Sequence, residues 1–198
     1  MAIEVDGVPI SIPSHAHGQG YADLHFVIPE TIDHIHVQKG PAAADVGDFA
    51  TAGTVRLQTM RRLEEAFVSA GGGSFGTLRL VGAVGGHRET IDAWMAGEMY
   101  SSDGPFDHEQ ELRRHNVTGK VTIDLGNHAD LWLEAATYGG GWRAFGQIPL
   151  RKVEAGRLSR FGSIDPMEGG LSARDGVVVG LIAHPGDDRQ DIDVRAYL

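Results

Sequence analysis

Apolar and polar residues alternate one by one through most of the second half of this chain. Val117, Val121, Ile123 and Leu125 share one side of a period-two register, with Asn116, Thr118, Lys120, Thr122 and Asp124 on the other. Leu131, Leu133 and Ala135 oppose Asp130, Trp132 and Glu134 in the same way. Ile91, Ala93, Met95 and Met99 oppose Asp92, Trp94, Glu98 and Tyr100. Leu78, Leu80, Gly82 and Val84 share a face, as do Val177, Val179 and Leu181. The chain ends with Ile192, Val194, Ala196 and Leu198 against Asp191, Asp193 and Arg195. Successive strand side chains point to opposite faces, so this pattern predicts β-strands with one apolar and one polar face.

Alternation alone leaves a soluble barrel, a sandwich and a membrane barrel open. The connections decide more. Residues 126–129 and 184–188 are tight turns, whereas 101–113 and 145–169 are long. Short turns at one end and long loops at the other are the habit of outer-membrane barrels. The first third of the chain reads differently, as short extended pieces broken by Gly, Pro and Asp. Asp6-Gly7 predicts a turn between two of them. In 32–37, Ile35 and Val37 lie on one face and His34 and His36 on the other. Residues 60–66 are expected to open the first strand of the repetitive region.

Composition narrows the function. The chain has 198 residues, a net charge of −10 and no cysteine. An acidic balance argues against a nucleic-acid surface, and the missing cysteines exclude disulfides and thiolate metal sites. No basic start with an apolar core marks a signal peptide, and no apolar run is long enough for a membrane helix. The stretch 71–76 matches G-x-G-x-x-G, but a strand rather than a helix follows it, so a hairpin turn is expected. Asn116-Val117-Thr118 is a formal glycosylation sequon inside a strand, and is read as accidental. No acid, base or nucleophile stands in a catalytic arrangement, so neither an enzyme nor a cofactor is expected.

One string goes further. Val5-Asp6-Gly7-Val8-Pro9, Ile28-Pro29-Glu30, Val37-Gln38-Lys39-Gly40-Pro41 and the run from Asp45-Val46-Gly47 to Ala52-Gly53-Thr54-Val55 follow one another in order. Together they closely resemble the second half of the plug domain of TonB-dependent outer-membrane receptors. Arg160-Phe161-Gly162-Ser163-Ile164-Asp165-Pro166, with Glu168-Gly169-Gly170 after it, resembles a long external loop of some of these receptors. The resemblance implies a mainly β chain: a partial plug domain in 1–59, then an incomplete antiparallel transmembrane β-barrel in 60–198, open and of about seven strands. It implies outer-membrane lipid, a transported small molecule or metal chelate, and TonB as partners of a full-length receptor, with nucleic acid excluded. By the same resemblance the cargo is a scarce nutrient of the siderophore, cobalamin or oligosaccharide class. A fragment of this size is expected not to transport alone.

Candidate ligand residues follow from that placement. His15, His17, Gln19 and Tyr21 stand on a plug loop, and Arg151 and Arg160 on the long loop 145–169. Arg143, Lys152 and Arg157 add to a locally basic loop in an acidic chain, which favours an anionic ligand. The alternative is a soluble β-rich module in which His15, His17, His34 and His36 bind a metal ion, since imidazoles two apart on a strand share a face.

Overall fold

The computed structural model describes residues 1–12, 21–41, 46, 50–126, 128–184 and 192–198. Among the described residues there are thirteen strands, one short α-helix and two 3-10 turns. The first group is a small mixed sheet of β1 (Ala2–Val5), β2 (Val8–Pro9), β5 (Ile32–Lys39) and β6 (Gly53–Thr59), in the order β2-β1-β6-β5. β1 and β6 run parallel, and the outer pairs are antiparallel. β3 (Ser11–Ile12) and β4 (Tyr21–Ala22) form a separate two-stranded ribbon. Asp6 and Gly7 both have positive φ, 47° and 75°, as a two-residue hairpin of type I′ requires. Val5, Ile10 and Leu57 form the buried centre of this unit.

The second group is one antiparallel sheet of seven strands in sequence order: β7 (Phe67–Gly73), β8 (Thr77–Arg88), β9 (Ile91–Ser102), β10 (Leu112–Gly126), β11 (Ala129–Arg143), β12 (Gly169–Ala183) and β13 (Ile192–Tyr197). It is not closed: β7 and β13 are its two edges. The tight turn 89–90 and the β10–β11 connection lie at one end, and the loops 103–111 and 144–168 at the other. The glycine-rich stretch is the β7–β8 hairpin, with Phe75 and Gly76 both at positive φ.

The sheet is turned inside out relative to a soluble one. Its polar residues are buried: Asp92, Glu98, Asn116, Thr118, Lys120, Thr122 and Glu134 all face the small sheet. Val81, Trp94 and Trp132 are buried on that same side, but most large apolar residues of the other face are exposed, including Val84 at 55%, Met95 at 55%, Met99 at 64% and Leu133 at 46%. Water would penalise such a face and hydrocarbon would not. No helix among the described residues is long and apolar enough to cross a membrane.

One expectation is corrected. Residues 60–66 form neither strand nor helix, and the first strand of the large sheet begins at Phe67. Pairing gives way there to anchoring, because Arg61 and Arg62 reach carboxylates on the large sheet and Leu63 is buried with Ile28, Val81 and Trp94. The long connection 144–168 contains the helical turn α1 (Leu150–Glu154).

Candidate functional site

The seat of the small sheet on the large one is built from three polar clusters. The first centres on Asp6, which the β1–β2 turn pushes towards the wall. Its carboxylate accepts from the Thr59 amide at 3.0 Å and from Lys120 Nζ at 3.1 Å, and it also meets the Thr59 hydroxyl. That hydroxyl lies 3.1 Å from Glu134 and accepts from Lys120 Nζ at 2.9 Å. Lys120 also stands over the Trp132 ring, 4.6 Å from its centroid. Burial opposes ionisation of Asp6, but the hydrogen bond to Glu134, the Lys120 ammonium and the Thr59 donors outweigh it and hold Asp6 below the usual carboxylate range.

The second cluster fastens the connector. Arg61 donates to Asp92 at 2.9 Å and to Asp130 at 2.5 Å, and Arg62 donates to the other Asp92 oxygen at 2.6 Å. Hydrogen bonds to Asp130 and Asp92 raise the Arg61 guanidinium above its ordinary range. Trp94 Nε1 donates to the Met60 carbonyl at 2.8 Å, tying the connector a second way.

The third cluster lies nearer the long loops. Arg79 grips Glu30 with two nitrogens at 2.5 and 2.7 Å and donates through Nε to Glu98 at 2.6 Å. The hydrogen bond from Arg79 holds Glu30 below its ordinary value. Asn116 Nδ2 donates to the His25 carbonyl at 2.9 Å and to Glu98 at 3.1 Å. This amide is about 1% exposed, so the sequon is spent on seating the small sheet. Arg174 stands over the Phe26 ring at 4.5 Å.

The predicted ligand residues are only partly placed. His15, His17 and Gln19 lie outside the described residues. Tyr21 is in β4, paired with Ile12 and 43% exposed. Arg151 lies in α1, and Arg160 stands over the Phe161 ring at 5.4 Å. The two larger cavities are not lined by Tyr21, Arg151 or Arg160. His34 pairs with Asp33 at 2.9 Å, and with His36 it lines a polar cavity of about 570 Å³ between the small sheet and the wall. Among the described residues no group of three or more His, Asp or Glu is placed to hold a metal.

Sequence reasoning missed how the two long loops are joined. Phe106 from 103–111 stacks on Phe145 at 3.6 Å, and Phe161 packs edge-on at 6.3 Å. The Asp107 amide donates to the Phe161 carbonyl and the Arg143 amide to Gln110. Three of the chain's seven phenylalanines in two loops were the available signal.

Comparison with known proteins agrees with this geometry. Residues 1–54 match the TonB-dependent Receptor Plug Domain. The siderophore receptor PirA from Acinetobacter baumannii superposes with a TM-score of 0.70 at 17% identity, over 99% of this chain and 31% of that one. The FrpB iron transporter from Neisseria meningitidis gives 0.69 at 14% identity, over 99% and 32%. The copper transporter OprC gives 0.73 at 19%, over 98% and 29%. The curated proteins include no match. Residues 1–54 thus have the sequence of a plug domain, and the described chain has the fold of part of a TonB-dependent receptor. It spans about a third of the length of the solved receptors it matches.

Proposed function

We propose that this chain, with 1–59 as plug and 60–198 as barrel, is part of an outer-membrane receptor for energised uptake of a scarce nutrient. The observation that carries the reading is the reversed sheet: apolar outside, polar inside, with the plug bound to the polar side by Asp6 and Glu30 and the connector after it by Arg61 and Arg62. A bilayer outside and a plug inside satisfy both faces at once. Seven strands cannot close around a plug, and transporters with plugged lumens use about 22. The transporting unit is therefore larger than this chain, with TonB as its energy-coupling partner.

Among the cargo classes, an anionic metal chelate fits best. Arg151, Lys152, Arg157 and Arg160 make loop 144–168 basic, and similar structures include a siderophore receptor and an iron transporter. His15, His17, Gln19 and Tyr21 are proposed to meet the cargo from the plug side. The test is to separate the membranes of the source cells, size the proteins on a gel and identify these peptides by mass spectrometry. Outer-membrane peptides in a much larger protein are expected. Peptides found only in the soluble fraction, at the size of 198 residues, would overturn the reading.

A further inference from the structure

The lipid-facing side of the sheet is not uniformly apolar. Its rows can be read from the strand register. One row contains Leu78, Ser101, Arg113, Gly141 and Leu171, and the next contains Leu80, Met99, His115, Gly139 and Ala173. Below these, rows built on Val117, Gly119, Val121 and Ile123 run down to the tight turns. Eight residues of strand separate His115 from Ile123, roughly 27 Å at about 3.4 Å per residue before tilt. An apolar band on such a wall is about 25 Å tall. Arg113 and His115 therefore fall at its upper edge, on the side of the long loops.

A hollow of about 1000 Å³ opens at that level, lined by Leu80, Met99, Arg113, His115, Gly139 and Leu171 among others. The glycines of β11 make it. A Cβ on Gly139 would come within 2.6 Å of the His115 ring, and one on Gly141 within 2.9 Å of Leu171 Cδ2. The imidazole and Leu171 thus lie across bare backbone, and Leu171 is 91% exposed.

The charges at this edge are of both signs. Glu111, just above, is paired with Arg143 at 3.1 Å. Asp175, one row below, accepts from the Thr137 hydroxyl at 2.7 Å. Asp103 also lines the hollow but leans over Gly76 in the β7–β8 turn. Arg113 makes no ion pair among the described residues. What remains is a guanidinium and an imidazole above an apolar trough.

We infer that this hollow is a binding site for a phosphorylated lipid of the outer leaflet, its phosphate held by Arg113 and His115 and one acyl chain laid along Leu80, Met99 and Leu171. A guanidinium matches phosphate with paired N–H donors, and the apolar trough matches a chain. The site lies on the opposite face of the wall from the plug and the cargo. It rests on the membrane placement of the sheet proposed above.

The test uses the complete outer-membrane protein in detergent micelles, with lipid A and its dephosphorylated form as probes, read by native mass spectrometry. Each variant is also floated with lipid vesicles as a check on membrane association. The wild type is expected to bind lipid A at least tenfold more tightly than the Arg113→Ala/His115→Ala double variant, and Arg113→Lys/His115→Lys to retain binding. Dephosphorylated lipid is expected to bind wild type as weakly as lipid A binds the alanine variant. If the alanine variant floats normally and binds lipid A like the wild type, this inference fails and the membrane reading stands. If the wild type does not float, both fail together.

Discussion

Lys120 is the one cation between two buried carboxylates, and replacing it with Met is the sharpest test of how the plug is seated. The ammonium lies 3.1 Å from Asp6 and 3.8 Å from Glu134, and all three side chains are almost fully shielded from water. Met keeps most of the stem and its packing on Trp132 but removes the charge. Asp6 is then a buried carboxylate with no cation beside it, left with the Thr59 donors and its hydrogen bond from Glu134. Removing one partner of a buried ion pair costs about 3–5 kcal/mol. At about 1.4 kcal/mol per factor of ten, opening of the plug sheet should become at least a hundredfold more frequent. Hydrogen exchange at the amides of β1 and β6 reads this directly. The penalty must also depend on pH. Asp6 is held below 3.8, so its ion-pair stabilisation is complete above that value and lost as pH falls through the lower native one. Exchange in the Lys120→Met protein should approach wild type in that acidic window. Unchanged exchange in Lys120→Met, or a penalty that ignores pH, would refute the reasoning.

Three further outcomes are expected. Glu30 is also held below its ordinary value, here 4.5, by Arg79; its contribution should be present above 4.5 and vanish as pH falls through the native value, with Glu30→Gln removing that pH dependence from exchange around residues 28–32. Gly180→Ala would put a Cβ 2.2 Å from the Trp132 ring, so a loss of about 1–3 kcal/mol and a shifted tryptophan emission are expected. Met95→Arg lies on the apolar face in the row of Gly119, near the middle of the band; in a bilayer it should cost about 2–4 kcal/mol in a folding titration, whereas a water-facing sheet would barely register it.

Much of the wall was legible in the sequence because a strand's side chains have a fixed period of two. Asn116, Thr118, Lys120 and Thr122 had to share a face whatever the fold, and the Asp6-Gly7 and glycine-rich turns followed from backbone sterics. Residues 60–66 escaped because their state depends on partners far along the chain. Arg61 is held by Asp92 and Asp130, and no local pattern encodes that pairing. The loop clasp of Phe106, Phe145 and Phe161 escaped for the same reason.

The sequence by itself determined that each strand has an apolar and a polar face. Only the tertiary structure decided which one is buried. Periodicity is a property of one strand, but burial depends on what packs against it. Here the small sheet and its connector bring Asp6, Glu30 and Arg61 to the polar side, partner its charges, and leave Met95, Met99 and Leu133 facing out.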